Sequence, residues 1–241
     1  MKAGVSEDGV WSEMKVGTPQ GAVASPLLAN IYLHYVFDLC VEAWRKKCAR
    51  GQVIVLRYVD DTVMGFERRD DAERFLRDLG KHIRKFGLEL HPDKTRLIEF
   101  GRHAERNRKQ RGEKKPEAFD FLGFTHLCGK TSKWERFMVL RKTWNKRMRV
   151  KLRHIKQLLL ARKHDPVPQT GEWLRSLVRG YFNYHAVPGN GRSTRKFREQ
   201  VARHRRSALR RRSQKSRMTW DRFRPLAQRW LPVQRVLHPR G

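Results

Sequence analysis

The spacing of apolar positions changes along the chain, and each change marks a different element. Residues 1–24 carry no period, and Gly4, Gly9, Gly17, Pro19 and Gly21 make them turn-rich. From Ser25, S-P-L-L-A-N-I-Y-L-H-Y-V-F-D-L-C-V-E-A-W repeats apolar residues at helical spacing: Leu28, Ile31, Tyr35 and Leu39, with Val36 beside them. Ser25 as N-cap and Pro26 at the first helical position predict where that helix starts. V-I-V-L-R-Y-V and T-V-M-G-F-E are β-branched and aromatic, and predict two strands around a tight turn that holds Asp60 and Asp61. An amphipathic helix follows over 70–86, capped by Asp70 and stopped at Gly87.

G-L-E-L-H-P-D-K-T-R-L-I-E-F reads as a short strand, a proline turn and a second strand. The polar residues 101–117 predict a surface loop. F-D-F-L-G-F-T-H has the pattern of a strand or hairpin arm, with R-F-M-V-L-R as its partner. Beyond it the period becomes helical, over about 142–163, 171–186, 193–213 and 219–230, with D-P-V-P and V-P-G-N-G as spacers. The mixed part gives way to the helical part near 127–141, which makes the fold class α+β, and no internal repeat is present.

Charge changes the picture. The 241 residues carry a formal net charge of +31, far more than solubility requires, and predict a polyanionic partner, nucleic acid first. Residues 141–241 hold 29 Lys and Arg against four acids, a net of +25, and the first 140 residues carry the remaining +6. Hydrophobic residues make up 39%, so the chain folds despite that charge. Cys40, Cys48 and Cys128 form no C-x-x-C pair and support neither a disulfide framework nor a zinc module. With no apolar signal core and no run of about 18 apolar residues, the expectation is a soluble cytoplasmic protein without membrane contact.

In so basic a chain, two adjacent acids stand out. Neighbouring carboxylates raise one another's pKa unless positive charge lies between them, and a divalent metal is the usual remedy. Phosphoryl transfer uses two such ions to steady the attacking and leaving oxygens. Taken alone, D-D is also a common turn dipeptide. The surrounding segments add what the pair lacks. T-P-Q-G…S-P-L-L-A-N upstream, Y-V-D-D itself, G-L-E-L-H-P-D-K-T and F-L-G-F downstream, in this order, resemble a reverse transcriptase of the kind encoded inside group II introns. W-L-R-S-L-V-R-G-Y-F-N-Y-H-A-V-P-G-N and L-R-R-R-S-Q resemble that family's maturase region.

The resemblance implies a partial palm, an antiparallel sheet with the catalytic hairpin and packed helices, followed by an all-α thumb or maturase region. On that reading residues 1–126 are the C-terminal part of the palm, 127–141 a connecting β segment, 142–217 the helical maturase domain and 218–241 a last helix and tail. It implies Mg²⁺ on Asp60 and Asp61, with Lys94 near the departing pyrophosphate. Gln20, Gly21 and Tyr58 would meet nucleotide, template and primer end, and Phe121, Leu122, Gly123 and Phe124 would grip the primer strand. From the residues alone, Lys94 reads equally as a surface lysine, and Phe121, Leu122 and Phe124 equally as core. The family draws a further aspartate from a strand well before the Q-G motif. Only Asp8, in S-E-D-G, precedes Gln20 here, so Met1 is expected to begin within a palm and polymerisation by this chain alone is doubtful.

The helical part keeps a function that needs no aspartate. Lys142, Lys146, Arg149 and Arg153 fall at spacings of three and four, one basic face opposite the apolar Leu140, Trp144, Met148, Leu152 and Ile155. Arg175 and Arg179 interleave with Trp173, Tyr181, Tyr184 and His185, rings suited either to a helical core or to stacking on unpaired bases. Residues 203–217, which include Arg205, Arg206, Arg210, Arg211 and Arg212, hold eight basic residues in fifteen. Such a run gains from counterion release on RNA. Three readings follow: a polymerase acting on RNA template and DNA primer, a module that binds group II intron RNA to assist splicing, or a decayed remnant. A separate chain supplying the fingers and remaining palm is an implied partner of the first. No H-N-H cluster follows the helices, so no metal endonuclease is expected.

Overall fold

The computed structural model describes residues 4–7, 10–13, 24–131, 135–213, 215 and 217–236. The chain mixes helices with small antiparallel sheets and divides into two compact units, Met1–Ile98 and Glu99–Gly241.

The first unit begins with β1 (Gly4–Glu7) and β2 (Val10–Glu13), an antiparallel pair in a stretch whose sequence predicts only turns. A two-stranded ladder is closed by backbone bonds and needs no apolar period, which is why the pattern misses it. Then α1 (Ser25–Leu33), a π-helical turn (His34–Asp38) and α2 (Leu39–Lys47) run on from one another. Ala24 rather than Ser25 holds the N-cap position, without a side-chain cap, and the proline falls in the first turn.

The buried face of this helix also differs from expectation. Val36, Phe37, Val41 and Trp44 enter the core, with Leu33 beside them, while Ile31, Tyr35 and Leu39 are 48%, 66% and 49% exposed. The segment is apolar on two faces, and only the packing partner selects one. The π turn inserts one extra residue, so all that follows is rotated relative to a regular helix.

The partner is the hairpin of β3 (Val53–Tyr58) and β4 (Asp61–Phe66), paired from Val53↔Phe66 to Tyr58↔Asp61. Its inner face, Val53, Val55, Met64 and Phe66, packs on the helix and on Phe75, Leu79 and Ile83 of α3 (Arg69–Arg84). Trp44 meets Phe66 and Phe75 edge-on, and its indole N–H donates to Asp78 at 2.9 Å. Extended Arg68 occupies the N-cap of α3, and Asp70, read from sequence as the cap, lies in the first turn and pairs with Arg68. Asp71, 1% exposed, accepts from the N–H groups of Arg50 and Gly51 and from Arg74, so the loop before β3 is tied to α3. Gly87 ends the segment at φ +69, a conformation that favours glycine. Residues 88–100 are not strands. Leu88 and Leu90 pack against the core by their side chains, but no strand edge pairs with their backbone, and extended chain without a ladder stays irregular.

In the second unit the predicted surface loop contains α4 (Ala104–Gln110), anchored by Asn107 to Glu99 at 3.0 Å and by the Arg111–Glu99 ion pair. β5 (Phe119–Phe121), β6 (Phe124–Lys130) and β7 (Phe137–Thr143) form an antiparallel sheet in that order. Four helices follow: α5 (Asn145–Ala161), α6 (Val167–His185), α7 (Gly191–Arg210) and α8 (Trp220–Trp230). Helix α6 starts earlier than expected because the D-P-V-P spacer supplies its first turn, where proline is suited. Ile155, Leu159, Leu174, Val178, Phe197 and Val201 are 1% exposed or less and form the middle of the bundle core.

Asn190, fully buried, joins sheet to bundle. Its side chain accepts from the Thr143 N–H at 3.0 Å and donates to the Thr143 hydroxyl at 2.7 Å and the His185 carbonyl at 2.8 Å. Gly171 lets α8 approach α6, since a Cβ there would lie 2.5 Å from the Trp230 ring. Among the described residues, no helix is long and apolar enough to cross a membrane.

Candidate functional site

Asp60 and Asp61 sit at the tip of the β3–β4 hairpin, both exposed, Asp60 in the turn and Asp61 at the first position of β4. The turn is formed by Val59 and Asp60, and Val59 has φ 56. That is the position where hairpin turns favour glycine, and a β-branched residue there is strained. Behind it lies Arg57, its side chain 15% exposed. The Arg57 guanidinium donates to the Val59 carbonyl at 2.9 Å, to the Asn30 amide oxygen at 3.0 Å, and by two bonds of 2.7 and 2.6 Å to Asp38. The hydrogen bonds from Arg57 hold the Asp38 carboxyl below its ordinary range, against the opposing effect of burial.

The twin acids themselves make no ion pair among the described residues, as Glu67, Asp78, Glu89 and Asp93 make none, whereas Asp38, Glu42, Asp70, Asp71 and Glu73 of the same unit pair with Arg or Lys. Two free carboxylates fit part of the shell of a hard divalent cation, which takes one or two carboxylates and completes its shell with water and substrate phosphate. No group of three His, Cys, Asp or Glu suited to a metal occurs among the described residues. Tyr58 is 61% exposed on the outer face of β3, with Ile54 and Leu56, where a ring can stack on a partner. Lys94 is exposed in the turn after His91, its backbone N–H bonded to the His91 carbonyl, and it makes no ion pair among the described residues. Gln20, Gly21 and Asp8 lie outside the described residues.

F-L-G-F is a hairpin tip as well. Phe121 closes β5, Phe124 opens β6, and Leu122 and Gly123 form the turn at φ 47 and 78. Phe124 is buried, stacked on Tyr184 at 5.5 Å, and the Tyr184 hydroxyl donates to the Leu122 carbonyl at 2.6 Å. Phe121 and Leu122 are half-buried.

The basic residues separate into two kinds. Lys142 at the end of β7, Lys146, Arg149 and Arg153 on α5, Arg175 and Arg179 on α6, and Arg210 and Arg211 at the end of α7 are exposed. Helix α5 carries no acid, and from residue 141 onward Arg224–Asp221 is the one ion pair among the described residues. Arg205, Arg206 and Arg212 are instead engaged within the fold. Arg205 is 5% exposed and donates to the Val167 carbonyl at 3.3 Å; burial, then repulsion from Arg212, pushes it down to about 10. Arg212 donates to the carbonyls of Asp165 and His164, and Arg206 lies over the Trp220 ring at 4.3 Å. Further guanidinium–indole stacks join Arg147 to Trp144 and Arg162 to Trp173. Of the aromatics read as core or stacking groups, Tyr181 is buried on Phe197, Trp173 is half-buried and Tyr184 is 52% exposed.

Residues 6–126 match the family model of reverse transcriptase (RNA-dependent DNA polymerase). The chain belongs to the reverse transcriptase family. The match takes in the acid-bearing hairpin and the F-L-G-F turn, and ends at His126, before the basic helices. None of the curated proteins matches this reverse transcriptase sequence. Pattern reading found both turns but not what holds them. An arginine directly before Y-V-D-D, on the inner-facing register of β3, was the available signal for Arg57. Tyr184 could be placed only once α6 and the sheet were seen packed in one unit.

Proposed function

We propose that this reverse-transcriptase-family chain acts by binding structured RNA, group II intron RNA by its motifs, and assists splicing and mobility through its helical part. One observation carries the reading: the surplus cations of residues 141–241 are neither paired nor buried for the most part, and α5 presents them without a single acid. A folded chain gains nothing from holding so many like charges together, whereas a polyanion releases counterions on meeting them. On this reading the β3–β4 hairpin with its helices is part of a palm, and α5–α8 form the thumb-like maturase region.

Asp60 and Asp61 would hold Mg²⁺ together with nucleic-acid phosphate, and that ion would supply charge neutralisation at the phosphate. Tyr58 and the F-L-G-F turn would bear on the primer strand, and Gln20, Gly21 and Lys94 on nucleotide and pyrophosphate. Polymerisation would need a third carboxylate beside Asp60 and Asp61, and RNA template and DNA primer would be its substrates. The test uses a self-splicing group II intron transcript at limiting Mg²⁺. The chain is expected to bind it in preference to an unstructured RNA of equal length and to raise the splicing rate. Primer extension by the chain alone should be slight. Equal binding to both RNAs with no effect on splicing would overturn the intron-specific reading, and robust extension abolished by Asp60→Ala would overturn the non-catalytic one.

A further inference from the structure

The acid-bearing turn is held in an unfavourable conformation by a side chain outside it. Val59 sits at φ 56, where a β-branched residue is strained and stays only when its surroundings enforce it. Its carbonyl has one side-chain partner among the described residues, the Arg57 guanidinium at 2.9 Å. Arg57 is itself fixed at every other donor the structure engages: Asn30 of α1 at 3.0 Å, and both carboxylate oxygens of Asp38 at 2.7 and 2.6 Å. A planar fork met by a carboxylate in two bonds has little freedom to turn.

Asp38 reaches this position through the π turn. It is the last residue of His34–Asp38, and a regular helix would rotate it by about 100° for the one residue that the wide turn adds. The carbonyl of Val36, inside the same wide turn, is taken up by His82 of α3 at 2.9 Å, so the irregularity is braced on both sides. A wide turn in one helix, an amide one turn before it and an arginine on the strand thus converge on a single backbone oxygen, and that oxygen belongs to the residue preceding Asp60.

We infer that Arg57, oriented by Asp38 and Asn30, is a positioning residue that fixes the Val59–Asp60 backbone and thereby sets the divalent-cation affinity of the Asp60–Asp61 pair. Arg57 does not touch the cation. It acts through the carbonyl of Val59, as an outer partner acts through a metal ligand, where loss weakens metal affinity by about tenfold to a hundredfold. This deepens the cation-binding part of the proposed function and rests on it for the metal, but the effect on the turn stands without it.

The test uses the full chain with valine methyl and backbone labelling, and Mn²⁺ as the probe. Wild-type Val59 should show a strong intraresidue amide–Hα NOE, the mark of positive φ, and Mn²⁺ should broaden the methyls of Val59 and Val63 in a manner abolished by Asp60→Asn with Asp61→Asn. Arg57→Met should lose the NOE and need about tenfold more Mn²⁺ for the same broadening. Asp38→Asn, a milder change that keeps the fold if Arg57→Met does not, should shift both readouts in the same direction. Val55→Ala, which removes core packing from the same strand, should lower stability and leave both unchanged. An unaltered NOE in Arg57→Met and Asp38→Asn, or the same loss in Val55→Ala, would overturn the positioning role. Wild-type methyls that stay sharp in Mn²⁺ would overturn the cation reading, and the NOE comparison would still decide the role of Arg57.

Discussion

Val59 at φ 56 and Leu122 at φ 47 each adopt the left-handed conformation in a two-residue hairpin turn without being glycine. In each case the carbonyl of the strained residue accepts from a long side chain, Arg57 or Tyr184. The residues of both hairpin turns are therefore placed by side chains outside the turns. Titration shows a similar dependence on surroundings. His185 is packed among the rings of Tyr181, Tyr184 and Phe124, its Nδ1 has no partner, and burial pushes it down to about 4 from 6.5. Its folded pKa is the lower one, so the unfolded chain takes the proton first. Stability from this group is constant above about 6.5, falls as pH drops toward about 4, and levels off below. His185→Gln should therefore narrow the gap between urea midpoints measured at the two ends of that window.

At the scale of elements, the joints carry more than the elements. Asn190 replaced by Ala removes three hydrogen bonds between β7, α6 and the start of α7, and should destabilise the second unit by about 3 kcal/mol in urea unfolding. Gly171→Ala should force α8 off α6 through Trp230 and lower stability by about 1–3 kcal/mol. Neither joint was legible in sequence, where V-P-G-N-G reads as a spacer and Gly171 as an ordinary helix start. What sequence did supply were the elements with a strong period: the β3–β4 hairpin, α3, the F-L-G-F hairpin and the four last helices. It misjudged segments whose structure depends on a partner. The helix from Ser25 is apolar on two faces and, Val36 apart, buries the one not chosen, residues 88–100 have strand composition without an edge to pair with, and α4 is held by Glu99 and Arg111 rather than by an apolar stripe. The candidate site divides likewise. The acids and the α5 cations were readable because chemistry and spacing name them, whereas the burial of Arg205 follows from packing that no local pattern encodes.

Across the whole molecule, charge distinguishes the two parts more sharply than fold does. In the first part cations such as Arg45, Arg57, Arg69, Arg74 and Arg111 are paired with acids, and those beyond residue 141 stand almost unopposed on the helices. If that surplus is an RNA-binding surface, affinity must follow ionic strength. The decisive measurement is the equilibrium affinity of the full chain for a structured intron RNA between roughly 50 and 200 mM salt. The account predicts a steep linear fall of log affinity with log salt, and a slope shallower by about three when Lys142, Lys146, Arg149 and Arg153 are all changed to Ala. An affinity indifferent to salt, or a fourfold variant with an unchanged slope, would contradict it.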